Sequence, residues 1–398
     1  MAEVSELYKK VLDEEDWYPF NPVDNSLPAN LANKAKTLFF KGDVEFLEKI
    51  KTGKIPKGID PEAEKQRGAR SSVIPMDHEI QIGVGALLKY PHVFDPMFLV
   101  TLTKEGGFQG LAINPNRLKR HIKEWEGFKG KYGDIAIIAK INDASRMIDP
   151  KYVAPRFANI QDAKDIGANF TGWSFFFNPN PEIYKVNMEE MRIFIEESRE
   201  QDLLPIVWAY PNGPDVTEHP YLGRESATMV LNAAEHALNA GAFAIKVFYP
   251  EPSPEISKDI LNGKAKPVKT EGGDRPLSKP EIQMLKGFAN TGLTNEQHLS
   301  ILCKRISTNA PVYVAGGAAD KGEISELVRM TKIAGATGNF VGRKIFCHNS
   351  PEKYYNVCLE YWQAMDDFYP ERERISDHIK DDRKGFIDRV SKAMHFKA

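Results

Sequence analysis

The sequence predicts an α/β fold in which parallel strands, each followed by a helix, close into a (β/α)8 barrel. Three observations carry that expectation. From Ser71 onward, short apolar runs of strand length alternate with amphipathic segments of helical period. Parallel neighbours need a crossover, and the intervening helical segments supply one each time. The runs number eight, the count of a closed TIM barrel, with the open doubly wound sheet as the structural rival.

Residues 1–70 are expected to form an N-terminal helical extension, with "LANKAKTLFFKGDVEFLEKIKTG" (31–53) a helix closed by Gly53. Residues 71–368 form the barrel. Its candidate strands are "SVIPM" (72–76), "FLVTL" (98–102), "IAIIAKI" (135–141) and "NFTGWSFFF" (169–177). Four more follow: "PIVWAY" (205–210), "FAIKVFY" (243–249), "PVYVAG" (311–316) and "GNFVG" (338–342). Between them, residues 180–201 open on Asn180 and Pro181, a cap and first-turn pair, and repeat apolar residues at Ile183, Met191, Phe194 and Ile195. Residues 225–241 place Ala227, Val230, Leu231, Ala234 and Leu238 on one face and stop at Gly241.

The stretch 251–300 is long for one connection. With its alternating lysines it is either a surface excursion or a lid over an anionic substrate. The last part, 369–398, is a charged C-terminal helical tail, either an oligomer contact or a solvated face.

Composition narrows the function classes. The 53 basic and 55 acidic residues leave a net charge of −2, which gives no global field for nucleic acid. No run approaches the roughly 18 apolar residues of a membrane helix. Cys303, Cys347 and Cys358 cannot all pair and show no metal spacing, so a reducing, cytoplasmic setting without structural zinc is expected.

The chemistry starts from Lys246, an ammonium inside an apolar strand. Two explanations are open: an ion pair with a carboxylate, or an amine kept neutral for attack on a carbonyl. On the preceding strand, alternation puts Trp208 and Tyr210 on one side at the carboxyl end. Tyr210 can move a proton to or from a carbon beside an iminium; packing is the alternative for both rings.

"VIPMDHE" places Asp77 and Glu79 on one face with His78 on the other. That pattern suits a carboxylate orienting the lysine or a substrate hydroxyl better than a metal site. Lys140, in "AKIND", is a second cation for the pocket. After strands seven and eight, "VAGGAADKGE" supplies Gly316 and Gly317, and "FVGRKIF" supplies Gly342 and Arg343. Backbone amides and a guanidinium on those two loops form the usual phosphate cradle of this barrel.

These motifs, "PMDHE", "AKIND", "VWAYP", "AIKVFY", "VAGGAADKGE" and "VGRKIF", occur in the order and spacing of another family. The chain resembles the archaeal and bacterial type of class I fructose-bisphosphate aldolase, in its longer bacterial form, over about residues 70–350. The resemblance implies a barrel enzyme that cleaves fructose 1,6-bisphosphate to dihydroxyacetone phosphate and glyceraldehyde 3-phosphate, with no cofactor and no metal. It implies Lys246 as the Schiff-base lysine, Tyr210 as acid and base, and Asp77 as the active-site carboxylate. Trp208 and Lys140 would contact substrate, Gly316, Gly317, Gly342 and Arg343 would hold a phosphate, and the subunits would form a homo-oligomer.

The chain departs from the family's usual pattern at Asn212, Ala315 and Glu79, where a basic residue, a serine and a glycine are common. Two further functions fit the same residues: another Schiff-base lyase or acyl-transfer enzyme on a phosphorylated ketose, and a sugar-phosphate-binding regulator without turnover.

Overall fold

The computed structural model describes residues 12, 20–55, 57–76, 83–132, 135–143, 153–217, 219–251, 260, 262–270, 273–279, 281–282, 285, 293–306, 310–316 and 323–395. Its parallel strands are β1 (Ser71–Met76), β2 (Gly110–Ile113), β3 (Ala136–Lys140), β4 (Phe170–Phe177), β5 (Leu204–Pro211), β6 (Ala244–Val247), β7 (Val312–Ala315) and β8 (Gly338–Phe340). They follow one another around a closed barrel in chain order, and β8 returns to β1 with Gly338 opposite Ser71. The (β/α)8 expectation is met.

One strand lies elsewhere. "FLVTL" is part of a helix, Pro96–Glu105, and β2 comes after it at Gly110–Ile113. Phe98, Leu99, Val100 and Leu102 are all fully buried. This helix lies against β2 on one side and the C-terminal helix Arg383–Met394 on the other, where Arg389 reaches Glu105 at 2.6 Å. A helix apolar all round gives the same short run as a buried strand. The local signal was the start: Asp95 accepts a hydrogen bond from the Met97 amide at 2.8 Å, with Pro96 in the first turn.

Alternation along the strands sorts the core into two clusters. Ile138, Phe170, Ile206, Trp208, Tyr210, Tyr313 and Phe340 belong to the barrel interior. Their strand neighbours Ile137, Trp173, Val207, Ala209, Ile245 and Val314 belong to the larger cluster under the helices. Helices Pro181–Glu200 and Ala227–Asn239 form where the periodicity placed them, the first capped by Asn180.

The region 31–53 is two helices, not one. Ala29–Lys36 and Lys41–Lys51 are separated by Leu38 and Phe39, which turn inward and join the barrel-interior cluster. The Ser71 hydroxyl donates to the Leu38 carbonyl at 2.5 Å, and the Phe40 amide donates to the Arg70 carbonyl at 2.9 Å. The extension thus closes the amino end of the barrel.

A buried ion cluster ties it to the tail. The Arg70 guanidinium donates to Asp43 at 2.6 Å and to Asp366 at 2.5 Å, and Arg372 donates to Glu64 at 2.7 Å. The tail itself is two helices, Ile375–Asp381 and Arg383–Met394, whose Ile375, Ile379, Phe386 and Val390 are buried against the barrel's outer layer.

Within 251–300, the described residues include an antiparallel hairpin, Val268–Thr270 with Gly273–Arg275. Ile260, Val268, Leu277 and Leu285 pack with Val216, Tyr221, Leu222 and Met229 in a small core of their own. This part of the excursion therefore stands on the loop that follows β5.

Candidate active site

Strands β3, β5 and β6 bring four of the expected site residues together, Lys140, Trp208, Tyr210 and Lys246, with Phe340 of β8 beside them. Lys246 pairs in register with Trp208 on one side and Tyr313 on the other, which points it into the barrel. It is only 5% exposed. Its Nζ lies 5.1 Å from the Trp208 ring centre, 5.2 Å from Phe340 and 5.6 Å from Tyr210. Aromatic faces attract a cation but leave it largely unhydrated.

Lys140 sits across the same indole, also 5.1 Å from its centre. Its ammonium donates to the Asn142 carbonyl and to the Ser174 hydroxyl at 2.9 Å, with an Asp143 carboxylate oxygen 3.8 Å away. Lys140 is fully buried against Trp208.

Room for the indole comes from Gly172 on β4. A Cβ there would lie 2.6 Å from Trp208 Cη2, 2.7 Å from Cζ3 and 3.2 Å from Lys140 Cδ. Trp208 is fully buried, and its Nε1 has no hydrogen-bond partner among the described residues. Gly172, Ser174, Asn142 and Asp143 surround Trp208 and Lys140, and none of them was assigned to the candidate site from the sequence. An isolated glycine within an aromatic strand was the available signal.

One other tyrosine beside Lys246 is otherwise engaged. Tyr313 shares a hydrogen bond with Ser71 at 2.8 Å, and burial pushes its phenol well above the usual range. Burial also raises Tyr249, with the nearby carboxylates of Glu296 and Glu326 adding to the effect. Tyr210 is stacked on Phe248 with ring centres 4.1 Å apart and planes 13° apart. Burial pushes the Cys303 thiol up to about 12 and Cys347 up to about 11, so neither is a thiolate at neutral pH.

Just after β7, Gly316 lacks a Cβ where one would stand 3.1 Å from the Val341 Cα. Its amide already donates to the Phe340 carbonyl at 2.9 Å, so Gly316 provides close approach and no free N–H. Gly342 opens the short helix Arg343–Phe346 and its carbonyl caps Ile345 at 2.8 Å. The Arg343 Nε is buried without a hydrogen-bond partner among the described residues. Arg343 lines a cleft of about 780 Å³ with Glu323, Ile324 and Ser325, which begin the helix after β7. Asp77 and Gly317, with His78 and Glu79, lie outside the described residues.

A larger cavity, about 1060 Å³, lies at the opposite end of the barrel, where Phe20 and Leu31 face Leu204, Pro205 and Phe243. None of the predicted site residues lines it. Lys246, Trp208, Tyr210 and Lys140 line neither of these two cavities, and the candidate site is placed by strand direction, since chemistry in this barrel sits at the carboxyl ends.

The fold and this lysine-centred pocket define a (β/α)8 barrel enzyme with its chemistry at the carboxyl ends of the strands. The chain belongs to the DeoC/LacD family of aldolases, whose sequence model matches residues 71–348. Among curated relatives, "Fructose-bisphosphate aldolase class 1" of Thermoproteus tenax is 25% identical over 222 residues, 55% of this chain and 77% of the relative. The protein of the same name from Halobacterium salinarum is 21% identical over 226 residues, 57% and 81% of the two chains.

Solved structures agree on the fold. A fructose-bisphosphate aldolase from Slackia heliotrinireducens superposes with a TM-score of 0.56, covering 96% of this chain and 98% of its own at 15% identity. An archaeal fructose 1,6-bisphosphate aldolase gives 0.50, covering 76% and 94% at 20% identity. No helix among the described residues is long and apolar enough to cross a membrane.

Proposed function

We propose that the protein is a class I aldolase that cleaves fructose 1,6-bisphosphate reversibly into dihydroxyacetone phosphate and glyceraldehyde 3-phosphate. The observation that carries this is Lys246 buried among Trp208, Tyr210 and Phe340 at the open end of the barrel. Attack on a ketone needs an amine within a pocket that shields the reaction from water, and Lys246 is such an amine, 5% exposed. The names of the relatives support the choice of sugar.

In this reaction the Lys246 amine adds to the C2 ketone, and loss of water gives an iminium. Tyr210 gives its proton to the departing water, and its phenolate then takes the C4 hydroxyl proton as the C3–C4 bond breaks. Its electron pair moves to C3 as the iminium becomes an enamine, and glyceraldehyde 3-phosphate leaves. Tyr210, held against Phe248, protonates C3, and water then releases dihydroxyacetone phosphate from Lys246. The iminium is the electron sink, so the scheme needs no metal.

Trp208 forms the wall beside the ketone, Lys140 faces it across the indole, and Asp77 orients the reacting hydroxyl. Gly317, Gly342 and Arg343 hold the phosphate next to the ketone, and Gly316, whose amide is taken by Phe340, only gives the room for its approach. Three free cysteines support a cytoplasmic setting.

The test is cleavage of fructose 1,6-bisphosphate by purified protein with EDTA present, alongside Lys246→Met and Tyr210→Phe. Activity in the wild type, none in Lys246→Met, and kcat lowered about 10²–10⁴-fold in Tyr210→Phe are expected. Full activity in Lys246→Met would end the proposal.

A further inference from the structure

We infer that Tyr354, with His92 as its hydrogen-bond donor, is the positioning residue for the turn that holds the phosphate next to the ketone. This rests on the aldolase reading above. The turn starts at Gly342 and carries Arg343 on the four-residue helix Arg343–Phe346. So short a helix does not hold itself, because nucleation is costly and its last carbonyls lack partners of their own. The Gly342 and Arg343 carbonyls accept from the Ile345 amide at 2.8 Å and the Cys347 amide at 3.0 Å. Side chains take the later ones. His348 Nε2 donates to the Lys344 carbonyl at 2.9 Å, and the Tyr354 hydroxyl lies 2.8 Å from the Phe346 carbonyl and 2.7 Å from that of His348.

Tyr354 stands on the helix Pro351–Asp366 and is fully buried. Burial pushes its phenol far above the usual range, so the hydroxyl keeps its proton. That single proton is directed at the two carbonyls. The His92 Nε2 atom, 2.6 Å from the same oxygen, must therefore carry a hydrogen and donate it. The His348 amide donates there as well, at 3.3 Å.

His92 belongs to the short helical turn Pro91–Phe94, on the connection after β1. Its ring meets Phe98 edge-on at 4.7 Å between centres. Arg117, just after β2, donates to the Phe94 carbonyl at 2.6 Å and to the Val93 carbonyl at 3.2 Å. Strands β8, β1 and β2 are consecutive in the barrel, so one hydroxyl ties the turn after β8 to the connection after β1, itself tied to the loop after β2. A guanidinium grips phosphate by two parallel N–H bonds only when its backbone presents the fork at the right angle. A turn released by about 1 Å loses that alignment.

The test measures the concentrations of dihydroxyacetone phosphate and of unphosphorylated dihydroxyacetone that half-saturate cyanoborohydride trapping at Lys246. It is run on the wild type, Tyr354→Phe, His92→Leu, His92→Gln, Arg343→Gln and the double variant Arg343→Gln/Tyr354→Phe. In Tyr354→Phe the expected result is a rise of about 10-fold for the phosphorylated ketone and no change for dihydroxyacetone. The unchanged value shows that the variant folds. His92→Leu should show the same selective loss, and His92→Gln, which keeps an N–H donor, should recover part of it. With Arg343→Gln already present, Tyr354→Phe should add little, since it acts through that residue. An unaltered value in Tyr354→Phe, or equal losses for both ketones, overturns the positioning role, as does a full further loss in the double variant. Absence of trapping with either ketone in the wild type overturns the aldolase reading itself, and this inference with it.

Discussion

Replacing Gly172 by alanine tests whether the pocket depends on where the indole sits. The new Cβ would stand 2.6 and 2.7 Å from two Trp208 ring carbons, where ordinary contact begins at 3.4 Å, so the ring must retreat by most of an ångström. It has little room to do so. Phe340 lies against it at 5.3 Å between ring centres, and the Lys140 and Lys246 ammoniums flank it at 5.1 Å. Overpacking of this kind costs about 1–3 kcal/mol of stability. Displacement of a wall of the reacting centre by about 1 Å costs on the order of 10² in kcat/KM.

Thermal unfolding and aldol-cleavage kinetics of Gly172→Ala give both numbers. The double variant Gly172→Ala/Trp208→Phe, whose smaller ring lacks the clashing atoms, should recover most of the lost stability but not the activity. Wild-type melting and wild-type kcat/KM in Gly172→Ala would refute the reasoning, as would a double variant no more stable than the single one.

Other consequences follow from the packing. Asp366→Asn removes a charge facing the fully buried Arg70 and should destabilise the protein by about 3–5 kcal/mol in denaturant unfolding, with little change if the cluster is not needed. His219 accepts the Tyr221 and Leu222 amides on Nδ1 at 3.1 and 3.0 Å, so its proton is on Nε2, 3.6 Å from Glu281. Burial holds its pKa below the usual value against the opposing field of Glu281 and Asp215, with Arg275 adding to the depression. The unfolded chain thus takes up this proton first. The stabilisation is complete above about pH 6.5 and is lost as pH falls towards the folded value. Melting temperature should therefore drop more between pH 7.5 and 5.5 in the wild type than in His219→Asn; parallel profiles would contradict this. Ser174→Ala removes one Lys140 partner and should raise KM with a smaller effect on kcat, since Lys140 shapes the pocket and does not enter the bond-breaking steps.

Much of this was legible in the sequence because strand periodicity and site placement are local. Trp208 and Tyr210 could be placed on one side of their strand from alternation alone, and the structure puts the Lys246 Nζ 5.1 Å and 5.6 Å from their ring centres. What could not be read depended on distant packing. "FLVTL" looks like a strand because its helix is covered on both sides, one of them by residues nearly three hundred positions later. The break at Leu38 and Phe39 exists because the barrel's amino end needs a plug. Gly172 became meaningful only when Trp208 from the next strand was set against it. Gly316 looked like an amide donor until its N–H was found on Phe340.

The central claim is that Lys246 forms a covalent iminium with a phosphorylated ketose. Its most direct test is to incubate the protein with fructose 1,6-bisphosphate and EDTA, reduce with borohydride, and locate the adduct by peptide mass spectrometry. The account predicts one reduced adduct, on the peptide carrying Lys246. An unmodified Lys246, or an adduct on Lys140 in its place, would contradict it.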